Sequence, residues 1–126
     1  MECFINLTNH PSGQWSDEQR AAALAYGPIV DLPFPAVSET ADLAGVCALA
    51  ARYFHRIREY GRPVVLIQGE SVFVYRLVRL LEQARIPALA CVSRRRVREA
   101  RLSDGSTQKI VNYVFGGFRP YWEDSA

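Results

Sequence analysis

Residues 64–67 (VVLI) are a short, wholly apolar run, bounded by Gly61 before it and by Gln68-Gly69 after it. Such a run suits a strand covered on both faces, which is the condition of a central strand in a parallel sheet. A parallel sheet in turn demands crossover connections, most often helices, between its strands. The remainder of the chain supplies them.

Residues 3–8 (CFINLT) read as a first strand, and the turn-forming cluster Asn9-His10-Pro11-Ser12-Gly13 ends it. Ser16 followed by Gln19 has the spacing of a helix-opening capping box, and Gly27-Pro28 stop that helix. A short strand follows at residues 29–32, closed by Pro33-Phe34-Pro35. Ser38 is the expected cap of a longer helix reaching about Tyr60. Its apolar residues Leu43, Val46, Ala50, Tyr53 and Ile57 recur at helical spacing and predict one buried face, with His55 on the solvent side. After residues 64–67 a helix runs from the turn Gln68-Gly69-Glu70-Ser71 to about Ala84. Its first half is apolar nearly all round, which points to core burial or to cover by another subunit. Residues 87–92 give a fourth strand, ending in Ser93-Arg94-Arg95-Arg96. Residues 97–102 and 109–115 flank Asp104-Gly105, a strong hairpin signal. The expected fold is therefore α/β: a small Rossmann-like, mostly parallel sheet flanked by helices, with a C-terminal β-hairpin, in one domain over residues 1–126.

Composition narrows the function classes. At 49% apolar and 22% charged the chain is ordinarily globular, and a net charge of +2 gives no reason to expect duplex DNA as a partner. No apolar stretch approaches the ~20 residues that span a bilayer. Three cysteines with no close spacing fit a reducing, cytoplasmic setting and no metal site, and each lies in an apolar stretch where a thiol packs as a small hydrophobe. No glycine-rich dinucleotide or Walker pattern is present, so no cofactor is expected. Fourteen of the fifteen basic residues are arginine. Codon usage alone accounts for such a bias; the competing reading is that planar guanidinium forks were favoured for gripping phosphate.

In open parallel sheets ligands bind outside the carboxyl ends of the strands. Those ends here are Asn9-His10-Pro11-Ser12, Gln68-Gly69-Glu70-Ser71 and Ser93-Arg94-Arg95, all polar. The helices that follow would add free N–H groups and partial positive charge. Candidate ligand contacts are Asn9, Ser12, Gln68, Gly69, Glu70, Ser93 and Arg94, with Gly69 letting the backbone approach a ligand. His10 and Arg95 are the candidate catalytic pair, since imidazole exchanges protons near neutrality and guanidinium stabilises anionic charge. Plainer readings stand beside these: His10 as a turn residue, Glu70 as an acid favoured at a helix start, and the arginines as a solvated edge. Trp15 and Phe34 stack on a base or simply pack. Residues 115–121 (FGGFRPY) are a flap or a bulged edge strand.

The segments Asn9-His10-Pro11-Ser12, Trp15-Ser16-x-x-Gln19, Asp31-Leu32-Pro33-Phe34-Pro35, Gln68-Gly69-Glu70 and Ser93-x-Arg95 with Val97 and Glu99 resemble small ancillary proteins of type III CRISPR systems. Those proteins are similar to CARF domains, the CRISPR-associated Rossmann fold. The resemblance implies a homodimer that binds cyclic oligoadenylate across its two-fold axis and, in some members, cleaves it as a metal-independent ring nuclease. It equally admits a sensor or sponge that binds the ring unchanged, and a non-enzymatic dimeric interaction subunit. Lysine often supplies part of the cationic contact in such pockets, and this chain has only Lys109.

Overall fold

The computed structural model describes residues 2–123. They form five strands, three α-helices and a single 3-10 turn: β1 Glu2–Leu7, the turn Ser12–Gln14, α1 Asp17–Leu24, β2 Ile29–Asp31, α2 Leu43–Arg58, β3 Arg62–Ile67, α3 Ser71–Gln83, β4 Ala88–Arg101 and β5 Thr107–Pro120. The strands make one sheet in the order β2-β1-β3-β4-β5. β1 runs parallel to β2 and β3, β3 parallel to β4, and β5 antiparallel to β4. The mixed α/β fold expected from the alternating pattern is the one observed. No described helix is long and apolar enough to cross a membrane.

Strand alternation sorts the interior into two layers. Cys3, Ile5, Leu7, Val65, Ile67 and Ala88 meet α2 and α3 through Val46, Ala50, Ile57, Phe73, Leu77 and Leu81. On the other face Phe4, Leu66 and Leu89 pack with Ala23 of α1, and the half-buried rings of Trp15 and Phe118 close that layer. Phe4 is its anchor, touching Trp15 edge-on and Phe118 at 5.2 Å. Each fully buried Phe, Ile or Leu contributes about 1.5–3 kcal/mol. The double-sided burial of β1 and β3 therefore fixes them at the sheet centre.

The helix starts differ in how well the sequence announces them. Ser16 caps α1, its hydroxyl accepting from the Gln19 amide at 3.1 Å, as the capping-box spacing predicts. For α2 the expected cap, Ser38, is displaced by Asp42, whose carboxylate accepts from the Gly45 amide at 2.8 Å. Ser38 instead closes a short turn by accepting from the Thr40 amide. With the helix starting at Leu43, that side chain sits in the first turn beyond the core and is 53% exposed. It departs from the predicted face, while Val46, Ala50 and Ile57 hold it. On α3, Phe73, Val74, Leu77 and Leu81 are buried, and Val72 and Tyr75 face outward.

The C-terminal region departs most from its sequence reading. The expected fourth strand and the first strand of the hairpin are one uninterrupted fourteen-residue strand, β4. β3 accompanies it only at Val65–Ala88 and Leu66–Leu89, so β4 and β5 continue beyond the sheet as a two-stranded arm. The arm reverses at Asp104-Gly105, with Gly105 at φ +88° and the Leu102 amide donating to the Ser106 carbonyl. Of residues 115–121, all but Tyr121 belong to a bulged edge strand: the register shifts between Val92 and Ser93, leaving Gly116 as the extra residue.

Candidate functional site

Asn6 is the polar residue inside β1, only 2% exposed on the face toward α1. A buried amide must have partners, and Asn6 has three. Its Nδ2 donates to the His10 carbonyl at 2.8 Å and to Asp31 Oδ1 at 2.9 Å, and its Oδ1 accepts from the Thr8 hydroxyl at 2.7 Å. Asp31 ends β2 directly beside Asn6, and its other oxygen accepts from the Ser12 hydroxyl at 2.9 Å. The indole N–H of Trp15 also donates to the His10 carbonyl, at 3.1 Å. Residues 8–12 are thereby tied to both neighbouring strands, and the backbone of His10 is held although its side chain is exposed.

Across the rim, the Gln68 side-chain oxygen accepts from the Cys91 amide at 2.9 Å, where the ladder between β3 and β4 has ended. That bond holds the turn after β3 against β4. Between these two anchored turns, α1 and the base of the arm lies a cavity of about 720 Å³. It is lined by Thr8, Asn9 and His10 after β1, by Gln68 and Gly69 after β3, and by Cys91, Ser93 and Arg96 on β4. Gln14, Trp15, Ser16, Glu18 and Gln19 close it from the α1 side, and Tyr113, Val114 and Phe115 from β5. The three strand ends that the sequence marks as polar do meet at one rim.

Not every expected residue enters. Asn9, His10, Gln68, Gly69 and Ser93 line the cavity, whereas Ser12, Glu70, Arg94 and Arg95 do not. Ser12 is occupied by Asp31. Glu70 caps α3 with both carboxylate oxygens, accepting from Val72 at 3.1 Å and Phe73 at 2.7 Å. Two of the expected free N–H groups at the start of α3, those of Val72 and Phe73, are therefore already bound within the chain. Gly69 serves packing: a Cβ there would overlap the Phe34 ring, which stacks edge-on against Phe73. Phe34 is thus a core residue, while Trp15 packs on Phe4 and also lines the cavity. Among the three consecutive arginines, Arg96 is the one at the cavity wall. The bulge beside Ser93 falls in the segment for which the sequence offers a bulged edge strand, but which of three identical residues reaches the wall is not legible in the run itself.

Asn6, Gln14 and Tyr113 complete the site without having been singled out, whereas Asp31, Gln19 and Arg96 stand in segments that the sequence had already marked. Of the three that were missed, Asn6 carried a usable signal, as an amide at a position where the strand pattern demands burial. The lining pairs one arginine and one histidine with one carboxylate, Glu18, and is otherwise rich in amides, hydroxyls and the rings of Trp15, Tyr113 and Phe115. That is a surface for a polar, flat-ringed ligand carrying few charges at any one point. Among the described residues no group of histidine, cysteine or carboxylate side chains is placed to hold a metal.

A larger depression of about 980 Å³ lies at the opposite rim, lined by Arg58, Arg62, Arg85, Phe54 and Tyr26 among others. The ends of α1, α2 and α3 gather there, presenting carbonyl oxygens that repel anions and are offset by the basic residues. The smaller cavity, at the carboxyl ends of the strands and beside the β1/β3 switch point, is the better ligand site.

No curated protein and no solved structure matches the chain. One family model does, over residues 2–119, a span that takes in every element from β1 to the end of β5 but its last residue. The chain belongs to the uncharacterized protein MJ1673 family.

Proposed function

We propose that the cavity at the carboxyl rim binds a nucleotide unit of cyclic oligoadenylate, and that two copies of the chain share one ring across a two-fold axis. The observation that carries this reading is the meeting of Trp15, Tyr113 and Phe115 with Arg96, His10 and several amides around one opening of about 720 Å³. Aromatic faces suit a base, amides its edge, and a guanidinium the phosphate. The volume lies in the range of single-ligand pockets, so a ring of several nucleotides needs more than one such cavity. An isologous dimer supplies the second.

Cleavage without metal would proceed by attack of a ribose 2′-oxygen on the adjacent phosphorus. The 2′-O–P bond forms, the P–O5′ bond breaks, the 2′ proton leaves to a base and a proton returns to the 5′-oxygen. The products are a linear strand with a 2′,3′-cyclic phosphate end. Arg96, placed at the cavity wall where Arg95 was expected, is positioned to stabilise the charge on the five-coordinate transition state. His10 is the proton carrier.

One observation favours a sensor or sponge as the second reading. The His10 imidazole makes no hydrogen bond to any described residue, so nothing orients it as the base of a catalytic pair is usually oriented. Incubation of cyclic oligoadenylate with the protein in EDTA decides between them. Conversion to linear product, slowed by His10→Ala and weakened in affinity by Arg96→Gln, establishes the nuclease. Stoichiometric binding with the ring recovered intact establishes the sponge. Absence of any binding refutes both.

A further inference from the structure

We infer that one face of the β4–β5 arm binds the phosphate backbone of a linear single-stranded nucleic acid. The arm pairs Arg94 with Val114, Arg96 with Asn112, Arg98 with Ile110 and Ala100 with Gln108. Directly paired residues project from the same side of a ribbon, and alternate residues along a strand share that side. Arg94, Arg96 and Arg98 therefore stand in a row on one face, and none of their neighbours on that face is an acid. All three are exposed, and none forms an ion pair with a described residue. The opposite face is mixed: Glu99 stands across from Lys109, Val97 across from Val111, and Arg95 across from Tyr113.

Three features identify the occupant. Alternate residues on a strand are about 6.8 Å apart, close to the separation of successive phosphates along one nucleic-acid strand. Charge is also divided unevenly, since residues 93–115 carry six basic and two acidic side chains, and the rest of the chain nine basic and eleven acidic. A second copy of the chain is the poorer fit, because no segment of the sequence offers acids at the matching alternate spacing. Finally, a two-stranded ribbon with no third strand is marginal in water and gains from being covered. The inference stands apart from the cyclic ligand: Arg94 and Arg98 lie outside the cavity, and only Arg96 belongs to both surfaces.

Fluorescence anisotropy of the full chain with a labelled oligouridylate tests it, with single-stranded DNA and inorganic polyphosphate as parallel probes. Three phosphate contacts give a log-affinity against log-salt slope of about −2, at about 0.7 for each contact on a single strand. Arg94→Gln with Arg98→Gln should reduce the slope to about −0.7. Arg95→Gln with Arg101→Gln, on the other face, should leave the slope unchanged. RNA and DNA strands should bind comparably, since backbone contacts carry no base information. Undetectable binding by the unaltered protein at low salt, equal losses from the two double variants, or tighter binding of polyphosphate would each overturn the inference. Conversion of a dimer to monomers by the Arg94/Arg98 variant would assign the face to a second copy and overturn it as well. Cyclic oligoadenylate binding by the same variant should be retained, so failure of the arm and failure of the cavity are read separately.

Discussion

Replacing Asn6 with alanine removes three hydrogen bonds at once from the interior of the sheet, those to the His10 carbonyl, Asp31 and the Thr8 hydroxyl. A typical intramolecular hydrogen bond contributes a net ~1 kcal/mol, and a buried group left without its partner costs more. Here the Thr8 hydroxyl, in a residue 9% exposed, loses its strongest acceptor, and the methyl group of alanine fills none of the vacated space. The expected loss is about 3 kcal/mol. For a domain of this size that lowers the melting temperature by about 12 °C, at some 4 °C for each kcal/mol. The variant should still fold, since domains usually hold 5–15 kcal/mol in reserve. Its ligand affinity should nevertheless fall, because the His10 carbonyl has lost its tie to β1 and, of the ties to the strands, only the Ser12–Asp31 bonds still hold the turn that bears Asn9 and His10. Differential scanning calorimetry with ligand titration below the transition measures both effects. Asn6→Asp sharpens the test, because it sets a carboxylate against Asp31, which lies 2.9 Å from the Asn6 amide nitrogen. Burial and like charge raise the carboxyl pKa in the folded state above its unfolded value. The deficit of this variant relative to the natural protein is then full at neutral pH and eases as pH falls through the raised pKa. A melting temperature for Asn6→Ala within about 2 °C of the natural protein, or a pH-independent deficit for Asn6→Asp, would refute this account of the network.

Two further outcomes follow from local geometry. Asp42→Ala should cost about 1 kcal/mol by uncapping α2, and Ser38→Ala only a few tenths, when compared by urea denaturation; the reverse order would restore the cap suggested by sequence alone. Burial pushes the thiols of Cys3 and Cys91 above the usual range, so at pH 8 both should react with a disulfide reagent more slowly than the same residues in the unfolded chain, and equal rates would count against the packing described.

Much of the fold was legible because it rests on local chemistry and on apolar period. The run at residues 64–67 demanded a doubly covered strand, and β3 is buried at Val65, Leu66 and Ile67. Asp104-Gly105 marked the hairpin turn, since glycine there takes a φ of +88° without strain. The alternation of strand and helix patterns gave the parallel sheet. The cap of α2 was misplaced because Ser38 and Asp42 both satisfy the local pattern. Which of them binds a helical amide depends on where the chain arriving from β2 first reaches the core.

The carboxyl rim as the place of the candidate site was legible in the sequence, through the polar turns that end three apolar strands. Which side chains occupy it was decided only by the tertiary structure. Glu70 turned inward to its own helix, Gly69 made room for Phe34, Ser12 went to Asp31, and Arg96 rather than Arg95 reached the wall. The physical reason is the same in each case. Strand and turn identity follow from neighbours along the chain, whereas the direction of a polar side chain depends on which partner, distant in sequence, satisfies it first.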